Sequence, residues 1–251
     1  MAGRRPAWLA ALLGLAALAG IAGLTALGIW QLERRVWKHD LIAQVEGRIH
    51  AAPTAAPGPA AWPAIDAGDA YRRLRLTGHF LHGRETLVQA ATERGSGYWV
   101  LTPLVAEDGF TILVNRGFVP PERRDPAARA AGQVASAVTV TGLLRLTEPG
   151  GGFLRANDPG AERWYSRDVA AITAARGLAG AAPYFIDADA TPNPGGLPIG
   201  GLTVIAFPDS HLIYALTWFA LAAMLAGWLG YGLYDRSRLR PRAGGAGMLT
   251  G

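Results

Sequence analysis

Two long apolar runs bracket this chain, and between them the spacing of polar and apolar positions changes several times. Leu212 to Tyr234 contains 23 residues without a charge. At about 1.5 Å per helical residue that run reaches ~35 Å, enough for a hydrocarbon core of about 30 Å. Ala7 to Trp30 supplies 24 more, with Thr25 as its one hydroxyl and Gly14, Gly20, Gly23 and Gly28 scattered through it. Both are predicted to be transmembrane helices, over 7–30 and 212–234. A cleavable signal peptide competes for the first, because Arg4 and Arg5 precede it. The apolar region of a signal peptide is usually only about 7–15 residues, so a retained anchor is expected.

Past the first run, Trp37, Leu41, Val45 and Ile49 recur at intervals of four, predicting that the helix continues through 31–50. Residues 51–64, AAPTAAPGPAAWPA, read as a Pro/Ala linker whose prolines deny helix and ladder alike. From 72 to 80, Leu74, Leu76, Gly78 and Phe80 alternate with Arg73, Arg75, Thr77 and His79, the period of a half-buried strand. A short strand at 85–90 should follow. Residues 97–120 are two apolar runs around Asp108-Gly109, a hairpin signal. Alternation returns at 136–146, and 183–187 and 202–207 also read as strands. RDVAAITAARG (167–177) is predicted to be a helix capped by Asp168 and closed by Gly177. The expected fold is a membrane α+β protein. Two transmembrane helices flank a mostly antiparallel sheet or partial barrel over 65–210, outside the cytoplasm and with short helices.

Charge explains the sequence pI of about 10 without nucleic acid. Arg4, Arg5, Arg236, Arg238, Arg240 and Arg242 against Asp235 make +5, the whole net charge of the chain, and Gln31 to Tyr234 balances at 18 basic and 18 acidic residues. The tails 1–6 and 235–251 are therefore expected in the cytoplasm and the central domain across the membrane from them. Arg34, Arg35 and Lys38 just past the first span oppose this orientation and are outnumbered. With no cysteine, the chain has no CxxCH haem attachment, thiol-disulfide centre or thiolate metal site. Its methionines, Met1, Met224 and Met248, offer no copper relay.

Catalytic signatures are missing: there is no GxSxG, SxxK, HExxH, Walker A loop or strand-bound GxGxxG. His79 and His82 have metal-like spacing, but on one strand they would point to opposite faces. The glycines of 150–152 and of PGGLPIGG (194–201) read as turns, since neither is followed by a helix or a P-loop lysine. For an enzyme, the sequence offers only Asp168 or Asp187 beside an arginine. Asn115-Arg116-Gly117 ends a strand with a guanidinium, suited to an internal hydrogen bond or to partner binding.

Several motifs occur together in order: GIWQLERRVWKHDLI, SGYWVLTPL, GFTILVNRGFVP, VTGLLR, WYSRDV, YFIDAD, GGLPIGG and HLIYALTWFALA. Across 28–223 the set resembles the surfeit-locus family of cytochrome c oxidase assembly proteins. The resemblance implies an assembly factor and not an enzyme, acting on the haem a centre of oxidase subunit I in a bacterial cell inner membrane. Subunit I, haem a synthase and membrane lipid are the implied partners. The alternative is a pigment-free scaffold that stabilises oxidase subunits. For haem a as a transient cofactor, the resemblance, in which His211, Tyr214, Thr217 and Trp218 match, points to His211 as axial ligand to iron. Trp30, Gln31 and Arg34 leave the first span at a comparable depth and are expected around it with Tyr214 and Trp218, and Asn115 and Arg116 are kept as the partner-binding candidates. Trp30 would stack on the macrocycle and Arg34 or Arg35 pair with a propionate, while Asp209 or Ser210 would cap the second helix. The chain departs from the family pattern at Pro208-Asp209-Ser210 ahead of the histidine, at Ile213, and at Leu202-Thr203-Val204 after the glycine pair.

Overall fold

The computed structural model describes residues 7–152, 154–205 and 209–238. The tails 1–6 and 239–251, and Pro208, lie outside the described residues. The chain forms two compact units, Met1–Ile42 with Phe207–Gly251, and Ala43–Ala206.

In the helical unit, α1 (Ala7–His50) begins as the first span and runs on without a break into the second unit. It is paired with α3 (His211–Arg238). Both helices are long and apolar enough to cross a membrane. Their outward faces carry Leu12, Leu15 and Leu18 on α1 and Leu216, Met224 and Trp228 on α3, all exposed. Such contiguous apolar surface is at home against lipid and not against water. The pair is antiparallel, with Gly20 against Leu225 and Gly28 against Phe219, and Ala17, Ala215 and Ala222 are buried. At Gly28 a Cβ would lie 2.5 Å from the Phe219 ring, so only glycine admits that ring.

The second unit is a barrel. Its strands are β1 (Thr54–Ala55), β2 (Arg73–Phe80), β3 (Thr86–Thr92), β4 (Gly95–Ala106), β5 (Thr111–Val119), β6 (Val138–Leu146) and β7 (Ala181–Ala188). They are ordered β1-β2-β6-β7-β5-β4-β3, and β2 also pairs with β4 through Gly78↔Ala106 to Phe80↔Leu104. That contact closes a five-strand ring. Gly78 permits it, since a Cβ there would sit 2.2 Å from the Val105 carbonyl oxygen. The expected β4–β5 hairpin forms around Asp108-Gly109. The ring is antiparallel except for β5 and β7, which run parallel.

Alternation sends Ile112, Val114, Tyr184 and Ile186 into the barrel interior, and Leu113 and Phe185 to the other face. There α2 (Val169–Ala175) covers them with Val169 and Ile172. This two-sided burial is why the inner part of β5 reads as a continuous apolar run. Asp168 caps α2 by accepting from the Ala171 N–H at 3.1 Å, and Gly177 follows with φ +63°, both as expected.

Three local expectations are corrected. The 51–64 segment is not featureless: Thr54 and Ala55 pair with β2, and Pro59–Ala64 forms 3-10 turns. Its Pro57 carbonyl accepts from Tyr184 Oη at 2.8 Å and Trp62 Nε1 at 3.0 Å, which ties the segment to the buried Tyr184. Secondly, the strand expected at 202–207 does not form over 202–205, and 206 and 207 lie outside the described residues. Gly201 turns with φ +72°, and the Thr203 hydroxyl donates to Asp187 instead of continuing a ladder. Lastly, β2 ends at Phe80, so His82 sits in the following 3-10 turn and not on the strand with His79. The two rings face the adjacent carbonyls of Val134 (3.0 Å) and Ala135 (3.4 Å).

Candidate functional site

The helical unit holds a polar cluster where α3 begins. On α1, Gln31, Arg35 and His39 are four residues apart and share one face. Facing them are Asp209 and His211. Asp209 Oδ1 accepts from the His211 backbone N–H at 3.1 Å, capping α3. Its Oδ2 accepts from His39 Nε2 at 2.7 Å and from Arg35 Nε at 3.3 Å. A carboxylate only accepts, so His39 Nε2 carries a proton. These donors, His39 first and then the His211 N–H, pull the Asp209 carboxyl down to about 2.

The imidazole of His211 is fixed from the side. Its Nδ1 lies 2.7 Å from Gln31 Oε1. With that oxygen as acceptor, Nδ1 bears the ring hydrogen and Nε2 is left with its lone pair, the tautomer of a metal-ligating imidazole. The ring is neither sealed in nor free, being of intermediate exposure.

Of the residues expected around His211, Gln31 is in direct contact. Trp30 and Arg34 lie on the neighbouring stripe of α1, where the Arg34 guanidinium stacks 4.0 Å over the Trp37 ring and Trp30 is half exposed. Tyr214 is also half exposed, its N–H closing the first turn of α3 on the Ser210 carbonyl. Trp218 is partly buried one turn further along. Arg35 is already engaged by Asp209. His39 was missed in the sequence, although the spacing of Gln31, Arg35 and His39 was there to find it. Asn115 and Arg116 belong to the barrel unit, where both are buried: Asn115 donates to Asp187 at 2.8 Å, and Arg116 to Asn193 at 3.1 Å.

The depressed Asp209 carboxyl makes an acid-range expectation. A group whose pKa falls on folding stabilises the fold above its ordinary value, here 3.8, and loses that contribution as pH drops towards about 2. Tryptophan fluorescence of the detergent-solubilised protein should therefore report a loosening of the α1–α3 pair between roughly pH 4 and 2. Asp209→Asn should lack that step. An unchanged acid step in the variant would assign it to another group.

Two membrane-length helices, flanking a closed β domain and joined at one end by this cluster, define a membrane α+β protein with an imidazole presented beside its second span. The SURF1 family model matches residues 18–223. Mouse surfeit locus protein 1 is 40% identical over 213 residues, covering 78% of this chain and 68% of that protein. The human protein of the same name is 38% identical over 214 residues, covering 78% and 69%. A SURF1-like protein of Monosiga brevicollis is 39% identical over 218 residues, 81% of each chain. This chain belongs to the SURF1 family, a family known as cytochrome c oxidase assembly factors.

Proposed function

We propose that the protein binds haem a through His211 and assists its insertion into subunit I of cytochrome c oxidase, without turnover of its own. The observation that carries this reading is the Gln31–His211 hydrogen bond, which leaves the ring lone pair on Nε2. When bound, haem a supplies an iron whose axial position a neutral imidazole can fill. The chain's part is orientation. Gln31 holds the ring, and Asp209 holds the backbone of the same residue. Arg35 is taken up by Asp209, so the propionate partner in this reading is Arg34, whose face lies on Trp37 and whose in-plane N–H groups can donate to an anion. Trp30, Tyr214 and Trp218 offer aromatic surface on the same two helices.

In this reading the two spans lie in a bacterial inner membrane with both termini cytoplasmic and the barrel periplasmic, because the tail arginines hold the excess charge. Subunit I receives the haem, haem a synthase precedes it, and lipid surrounds the spans. A pigment-free scaffold is the second reading, and the prior engagement of Arg35 by Asp209 favours it.

Deleting the gene should lower the haem a content of subunit I and leave subunit I messenger unchanged. Normal haem occupancy in a deletion strain without a paralogue would overturn the assignment to haem delivery.

A further inference from the structure

Arg116 follows Ile112 and Val114 on β5 at the same parity, so its side chain leaves the strand on the barrel-interior side. It is 2% exposed, yet among the described residues no carboxylate is one of its hydrogen-bond partners. Nη2 donates to the Gly132 carbonyl and, at 3.1 Å, to Asn193 Oδ1, while Nη1 has the His82 ring nitrogen at 3.4 Å. The guanidinium carbon lies 4.8 Å from the Phe80 centroid. Nε is buried without an acceptor among the described residues.

The neighbouring acid does not neutralise this charge. Glu85 is spent on Arg129 in a buried ion pair. Burial lowers the pKa of His82, which favours its neutral form. Arg116, Arg129 and Glu85 with neutral His82 sum to +1, the Asp189 carboxyl of the adjoining cavity wall not being among the groups in contact with Arg116. Burial lowers the Arg116 pKa only to about 10, so the guanidinium keeps its charge at neutral pH. A buried charge normally has a counter-charge in contact with it, and among the described residues no carboxylate is hydrogen-bonded or ion-paired to this one.

Beside the guanidinium is a cavity of about 150 Å³ whose walls include Phe80, Val114, Val138, Val140 and Pro192. The β6–β7 ladder extends to Gly142↔Ala188, and beyond it the Asp189 N–H still reaches the Thr141 carbonyl. The cavity lies at this end of the ladder, bounded by Val138 to Thr141 on β6, by Ala188 and the segment after β7, and by Phe80 and Val114. Its volume is on the order of a benzene-sized guest, about six heavy atoms. Asp189 also lines it, half-buried, with Oδ1 accepting from the Thr191 N–H at 3.0 Å.

We propose that this cavity binds one short aliphatic monocarboxylate, its oxygen accepting from Arg116 and its carbon chain lying against the valines. The carboxylate comes either from a free acid or from the glutamate side chain of a partner. Calorimetric titration of the full-length protein in detergent at neutral pH tests this, with butyrate, butyramide and N-acetylglutamic acid α-amide as probes. Butyrate should bind saturably with one site, and isosteric, uncharged butyramide at least about tenfold more weakly, as expected where a charged pair forms. Arg116→Gln should weaken butyrate at least about tenfold. Val138→Phe, which fills the space and leaves Arg116 in place, should also remove binding, so the result does not hang on one variant. A glutamate derivative as tight as butyrate identifies a partner side chain, and binding of butyrate alone identifies a free acid. No saturable binding of either acid, or butyramide as tight as butyrate, would overturn the site.

Discussion

Replacing Asp187 with alanine should destabilise the barrel by about 3–5 kcal/mol, the cost of removing one partner from a buried ion pair. Asp187 is 3% exposed and is the centre of a polar network inside the sheet. It receives Asn115 Nδ2 at 2.8 Å, Arg145 Nη1 at 3.0 Å, Arg167 Nη1 at 3.0 Å and the Thr203 hydroxyl at 3.1 Å. Burial alone would lower the pKa of Arg167; Asp187 and Glu148 more than reverse that, so the arginine stays charged. Without Asp187, Arg167 retains Glu148 at 2.5 Å, but Arg145 retains it only at 3.4 Å and the Asn115 amide loses its partner. For a unit of this size each kcal/mol moves the melting temperature by roughly 2–4 °C, so the midpoint should fall by on the order of 10 °C. Asp187→Asn keeps an acceptor and loses the charge, and should fall between wild type and alanine. A midpoint for Asp187→Ala within about 2 °C of wild type would mean that the network contributes little.

Asp187 also shows where reading the sequence stops. It was visible there as an acid near arginines, but its partners come from β5, β6, the segment before α2 and the turn after β7. No spacing rule joins positions 115, 145, 167 and 203. What could be read was local: the uncharged runs of both spans, the alternation of β2 and β6, the Asp108-Gly109 hairpin and the Asp168 cap. Barrel closure at Gly78 and the parallel β5–β7 pair are contacts between distant segments, and periodicity within a strand does not encode them. The 202–207 segment misled because its apolar residues resemble a strand while Thr203 is committed to Asp187. At the site, His211 and Gln31 were legible through the family motifs. His39 lay hidden in a charged run, and it took the position of Asp209 to show that Arg35 and His39 share a partner.

The second large effect is expected at His211. Its Nδ1 is held by Gln31, which leaves the lone pair on Nε2, so His211→Ala should remove the proposed ligand without deleting the Asp209 cap on the backbone of α3. Burial of ring and isoprenoid surface, at roughly 25 cal/mol per Å², should still retain some haem. Gln31→Leu should give an intermediate result, because the imidazole remains but its tautomer is no longer held, and loss of such an outer partner typically costs about 10–100-fold in metal affinity. His79→Ala and His82→Ala serve as controls in the barrel. The most direct measurement is the absorption spectrum of wild-type and His211→Ala protein purified from cells that make haem a, compared at equal protein and haem content. A shifted Soret band and weaker haem retention in the variant are expected, with both barrel controls unchanged. An identical spectrum in His211→Ala would contradict iron ligation and leave His211 as a residue of the helix interface.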